Sequence, residues 1–130
     1  MTPESLVHHE LCFGCGRTNL FGLLMEVERV GEGHVRARGF VKQDHQGPVP
    51  GTAHPGVIAA ALSEAMAFAA GAGAEPSTIE LSLEASVPVG TFIEVDARAD
   101  GLARAEIEAT ATASVDGERV AIAQGAYRRP

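Results

Sequence analysis

Two imidazoles and a C-x-x-C pair, His8, His9, Cys12 and Cys15, lie within one short stretch near the amino terminus. Imidazole and thiolate are the donors zinc prefers, so a metal site is one reading of this stretch. A closed tetrahedral site ordinarily draws its ligands from two separated segments, and the chain has no second cysteine pair. The reading taken is therefore two thiols in a folded leader, with no metal. They stand too close in sequence to staple a fold, and a reducing compartment leaves them as thiols. Nucleophilic catalysis by either needs a base beside it, and the sequence places none.

The elements that must position any such groups come from a chain of 130 residues, the size of one domain with a real core. A hydrophobic fraction of 45% excludes a disordered chain. Ten Lys and Arg against seventeen Asp and Glu leave a net charge of −7, which repels phosphate backbones and argues against nucleic acid as a partner. No apolar run approaches the roughly 20 residues of a membrane helix, so no membrane partner is expected. Met1 to Leu6 lacks the basic and then greasy opening of a secretory signal, and a cytoplasmic location follows as the expectation.

Residues 1–22 show no periodicity and form a lead-in with at most one helical turn, ahead of a domain over 23–130. Alternation begins with Met25 and Val27 against Glu26 and Glu28, turns at Gly31 to Gly33, and resumes over 34–41. After a Gly- and Pro-rich loop over 42–52, Pro55 suits the first position of a helix running to Ala70, with Gly71 ending it. Ile58, Ala61, Leu62, Ala65, Met66 and Ala69 make one apolar face. The opposite face is Ala-rich, so the helix is expected to be buried nearly all round. Four strands follow. Ile79, Leu81 and Leu83 mark the first, and Ile93, Val95 and Ala97 the second; an unbroken alternation from Ala105 to Val115 makes the third. Asp116-Gly117 then turns the chain into the last, Val120 to Tyr127. Glu80, Glu84, Glu94, Glu106 and Glu108 supply the wet face. The order is ββαββββ, an α+β class with one antiparallel sheet turned on one helix.

Three stretches in this order resemble the hotdog thioesterases of the phenylacetate-pathway type. The first is Cys12-Phe13-Gly14-Cys15-Gly16-Arg17-Thr18-Asn19-Leu20-Phe21-Gly22-Leu23, with Leu20 where one branch of that family has proline. The second is Gln46-Gly47-Pro48 leading into Pro50-Gly51-Thr52-Ala53-His54-Pro55-Gly56, like the loop before a His-Gly-Gly helix start. The third is Ala61-Leu62-Ser63-Glu64-Ala65-Met66, like a leucine-aspartate-glutamate-alanine-methionine run. The resemblance implies a hotdog fold, an antiparallel six-stranded sheet wrapped around one long central helix. It also implies a homodimer or homotetramer with sites between subunits and an acyl-CoA thioester as substrate.

That chemistry needs a backbone N–H at the helix start to polarise the carbonyl and a carboxylate on the same helix as base or nucleophile. Carried over by position, the donor falls on Pro55, which has no N–H, and the carboxylate falls on Ser63. The resemblance thus points to an altered site. Its candidates are Gly56 as substitute donor, Ser63 and Glu64 on the helix, and His54 or His45 as base. Glu64 lies one residue past the expected position, about 100° further round the helix, and reads as an inherited neighbour, solvated or at an interface. Arg36, Arg38 and Lys42, with Arg128 and Arg129, are candidate contacts for the phosphates of coenzyme A. No cofactor is expected beyond coenzyme A as part of the substrate. The resulting expectation is a thioesterase-family protein with a weakened hydrolytic site, the alternative being a ligand-binding module without hydrolysis. A purely structural, oligomer-forming role is the third class, since small Ala-rich strands pack readily.

Overall fold

The computed structural model describes residues 4–129; residues 1–3, part of the expected lead-in, and residue 130 lie outside it. The chain forms β1 (Glu4–Leu6), β2 (Glu26–Gly31), β3 (His34–Phe40), a 3-10 turn (Gln43–His45), α1 (Pro55–Ala70), β4 (Glu75–Leu83), β5 (Phe92–Asp100), β6 (Glu106–Val115) and β7 (Glu118–Arg128). One antiparallel sheet runs in the order β1-β2-β3-β5-β6-β7-β4. The hotdog arrangement expected from the sequence is present, with a seventh strand added. The extra strand is β1, drawn from the stretch expected to hold at most a helical turn, and it pairs Glu4 to Leu6 with Arg29 to Val27.

Helix α1 begins and ends at the residues its composition dictates. Proline stands at its first position, and from Val57 onward no residue is fully exposed. Ala61, Leu62, Ala65, Met66 and Ala69 meet Val35 and Ala37 of β3, Val95 and Ala97 of β5, and Ala109, Ala111 and Ala113 of β6 in one core. Alanine on both surfaces lets helix and sheet approach closely, which is how one rod fills the curve of the sheet. Tyr127 is fully buried, and its hydroxyl donates to the Ser63 carbonyl (3.3 Å), so β7 is tied to α1 without an unsatisfied polar group. The β6–β7 hairpin turns at Asp116 and Gly117, both with positive φ, as a two-residue turn of matching twist requires.

One expectation is corrected. The alternation in β4 marks Ile79 and Leu83 as core, yet they are 40% and 48% exposed, and only Leu81 of that set is partly covered. β4 is the last strand of the sheet, beyond β7, and α1 lies chiefly over β5 and β6. Period-two alternation identifies an apolar face without saying whether the chain's own helix reaches it.

Candidate functional site

The amino end of α1 is positioned by the loop that precedes it. Gln46 ties that loop, accepting from Gly51 N–H (2.7 Å) and donating to the Gln43 carbonyl (2.9 Å). Gln46 bridges to Ala53, and Gly47 passes so close to His54 that an added Cβ would lie 2.7 Å from its Cα. Only glycine allows the two arms to meet there. The result is an open groove of about 360 Å³ beside the helix start, lined by Val49, Pro55, Ile58, Leu83 and Val87 together with the polar Thr52, Glu84 and Ser86. Glu84 is held by Arg119 in a two-point ion pair (2.7 and 2.9 Å).

The Gly56 amide at the helix start is already engaged. His54 caps α1, and its Nδ1 accepts the Gly56 N–H at 2.8 Å, so that donor is occupied while the ring stays in place. In its neutral form His54 then carries its proton on Nε2. His45 is buried, and its Nδ1 accepts from Lys42 N–H (3.1 Å). Its Nε2 is the one buried side-chain nitrogen or oxygen without a partner among the described residues. Ser63 is half-buried, and no histidine lies within hydrogen-bond reach of its hydroxyl among the described residues. Neither Ser63 nor Glu64 walls the groove.

The basic candidates lie elsewhere. Arg36 and Arg38 line a separate hollow of about 500 Å³ on the face of β2 and β3, which shares no wall residue with the groove. Register surrounds each arginine with acid: Arg38 between Glu26 and Glu94, Arg36 between Glu28 and Asp96. Arg36 bonds Asp96 (3.3 Å), and Arg38 lies over the Phe92 ring (3.7 Å). Lys42 donates to the Leu20 carbonyl. Flanking carboxylates offset much of the charge a phosphate would seek.

A second constellation was only half visible in the sequence. Glu64 is 8% exposed, and its carboxylate meets His8 Nδ1 (2.9 Å) and Cys12 Sγ (3.2 Å). His8 Nδ1 also lies 3.7 Å from both Cys12 and Cys15 Sγ, and the His8 N–H points to Cys15 Sγ (3.2 Å). The His8 ring stacks flat on Phe68, one helical turn beyond Glu64, with centroids 3.7 Å apart. Burial alone would raise the Glu64 pKa. The donors His8, Cys15 and Cys12 outweigh it and hold the carboxyl below its ordinary value. The same Glu64 hydrogen bond lifts His8 above its ordinary value against burial, and burial pushes the Cys15 thiol well up. Glu64 is thus neither solvated nor free; it is the hub of this cluster. His9, singled out with the others in the sequence, is exposed and stays outside it.

No family model and no curated protein matches the sequence. Solved structures do match in shape. The phenylacetic acid degradation protein PaaI from Thermus thermophilus, in a point-mutant form, superposes with a TM-score of 0.75 at 24% identity over 82% of this chain and 93% of that one. PaaI from the phenylacetic acid degradation operon of E. coli gives 0.77 at 16% identity, over 83% and 80%. Zebra fish thioesterase superfamily member 2 gives 0.74 at 19%, over 82% and 81%. The sheet order, the enclosed helix and these superpositions agree on one architecture: the chain has the hotdog fold seen in structures of the thioesterase superfamily.

Proposed function

We propose that this chain binds an acyl thioester of coenzyme A in the groove at the amino end of α1 and hydrolyses it only weakly. The observation that carries the reading is the groove itself: an open, largely apolar channel against a helix start, on a hotdog scaffold. Apolar walls suit an acyl or pantetheine arm, and the positive end of the helix suits a polarised carbonyl. Weak turnover follows from chemistry. Pro55 offers no N–H, Gly56 N–H is taken by His54, and Ser63 stands where the resemblance places a carboxylate. Losing one oxyanion donor typically costs about 3–4 kcal/mol of transition-state stabilisation, so losing donor and carboxylate together leaves little rate enhancement. Binding without any hydrolysis is the second reading, favoured by the same His54–Gly56 contact.

The exposed apolar face of edge strand β4 supports assembly of two or four copies, which would place a partner near the groove mouth at Leu83. No helix among the described residues is long and apolar enough to cross a membrane. A reducing cytoplasm accords with two unpaired thiols.

The test is free-thiol release over a panel of acyl-CoA esters, alongside thermal stabilisation by each ester. Stabilisation by at least one ester with slow release supports the proposal, and so does a gain of hydrolysis in the double variant Pro55→Gly, Ser63→Asp. Absence of any stabilisation or turnover across the panel overturns it.

A further inference from the structure

The four donors His8, Cys12, Cys15 and Glu64 have no role in the thioester reading, and they converge on one point from two separate segments of the chain. One ligand atom from each can be chosen so that all four lie within 4.8 Å of one another. A zinc ion bound to sulfur at about 2.3 Å and to nitrogen or oxygen at about 2.0–2.1 Å sets tetrahedron edges of roughly 3.3–3.8 Å. With Glu64 Oε1 as the carboxylate's ligand atom, the separations lie around that range: 3.7 Å from His8 Nδ1 to each sulfur, 3.6 Å from Cys12 Sγ to Oε1, and 2.9 Å from His8 Nδ1 to Oε1. We propose that these four side chains form a binding site for one divalent metal ion of the zinc class, which pins the leader to the central helix.

The surrounding scaffold holds the four donors in place. The leader makes a tight turn, with Gly16 N–H on the Cys12 carbonyl (2.8 Å) and Cys12 N–H on the His9 carbonyl (3.1 Å), which presents both sulfurs to one side. Gly14 lies at the bottom of the turn, against the helix, where any Cβ would overlap the Glu64 carboxylate. Met25 N–H on the Gly14 carbonyl (2.9 Å) and Leu23 N–H on the Phe13 carbonyl (2.7 Å) fix the turn to the chain entering the sheet. Phe68 holds the His8 ring by stacking, and the His8 N–H on Cys15 Sγ is the kind of bond that steadies a coordinated thiolate. Glu64 brings the ligand from a separate, rigid element that a closed site needs.

Two thiolates, an imidazole and a carboxylate suit zinc, cobalt or iron rather than magnesium or calcium, which prefer oxygen alone. Four protein ligands fill a tetrahedral shell and leave no open position, so the ion is structural rather than catalytic. Binding converts Cys12–SH and Cys15–SH to thiolates and releases their two protons to solvent; His8 ligates through an unprotonated Nδ1, so the hydrogen it shares with Glu64 moves to Nε2 or, from an imidazolium, to solvent. No electron moves. The site stands independently of the acyl-thioester reading and assigns Glu64 as a ligand rather than a base.

The test uses the full chain, purified reduced and without chelators from zinc-supplemented cells. Elemental analysis should find one zinc per chain. Glu64→Gln should weaken zinc affinity by at least about 100-fold, because even groups that only orient a metal ligand cost about 10–100-fold when removed. Cobalt exchanged into the unmutated protein should show tetrahedral visible bands with thiolate charge transfer, a readout that needs no variant to fold. Substoichiometric zinc together with a cobalt spectrum lacking thiolate bands would overturn the proposal. So would zinc that persists equally in Glu64→Gln and Cys15→Ser, or a Cys12–Cys15 disulfide in the protein kept reduced.

Discussion

Gly56 at the amino end of α1 and Glu64 at its middle lie eight residues apart, about 12 Å along one helix, and their surroundings treat polarity in opposite ways. At the amino end the expected amide donors are missing or already bonded: Pro55 has no N–H, Gly56 donates to His54, and the space beside them is open and largely apolar. At the middle a carboxylate is almost fully buried, with an imidazole and two thiols gathered round it. An open apolar groove is what a flexible ligand fills. A convergent set of thiol, imidazole and carboxylate donors, with Glu64 and Cys15 buried, is what an ion fills. On the two proposals the same helix serves two binding problems, and the acid that sequence position brings nearest to the thioester chemistry belongs to the metal cluster.

The largest effect should come from emptying the cluster. A chelator that strips metal held at about a thousandfold over its dissociation constant removes roughly 4 kcal/mol, lowering the melting temperature on the order of 10 °C. Scanning calorimetry with and without chelator checks this, and an unchanged midpoint would separate the cluster from stability altogether. Gly14→Ala drives a methyl group into the Glu64 carboxylate. It should cost about 1–3 kcal/mol and weaken metal binding while leaving acyl-CoA affinity as it was. Loss of acyl-CoA affinity in that variant would show that the two regions are coupled.

At the groove, His54→Ala removes the cap on Gly56 N–H. Stability should fall by about 1 kcal/mol in denaturant unfolding, while thiol release rises, since the freed N–H can meet a carbonyl. A fall in both would mean that His54 itself contacts the substrate. The smallest effect belongs to a control remote from both regions. Burial of Asp96 works to raise its pKa, but His34, Arg36 and Arg98 outweigh it and hold it below the ordinary value of 3.8. Its folded value is therefore the lower one. Its contribution is present above the unfolded value and disappears as pH falls through the folded value. The carboxylate is 41% exposed, so after screening by water the contribution is below about 1 kcal/mol. Asp96→Asn should flatten the acid limb of the stability profile slightly and leave metal and ester binding untouched.

Strands and helix were legible because their periods are local. The run from Ile107 to Ala113 alternates without fault, and Pro55 and Gly71 bracket the alanine-rich helix at its true ends. β1 was not, because three residues carry no period and gain their structure only from β2. Nor was the exposure of Ile79 and Leu83, which depends on β4 lying at the sheet edge. The cluster escaped because Cys12 and Glu64 are 52 positions apart, and C-x-x-C alone lacked a second segment. One signal was present: Glu64 falls between the core positions Leu62, Ala65, Met66 and Phe68 of a helix with no wet side, so it needed a partner.

X-ray absorption at the zinc edge of the purified, reduced protein tests the central claim most directly. The account predicts a four-coordinate shell of two sulfurs at about 2.3 Å and two nitrogen or oxygen atoms at about 2.0–2.1 Å. A shell of light atoms alone, or a sample that holds no zinc to measure, would contradict it.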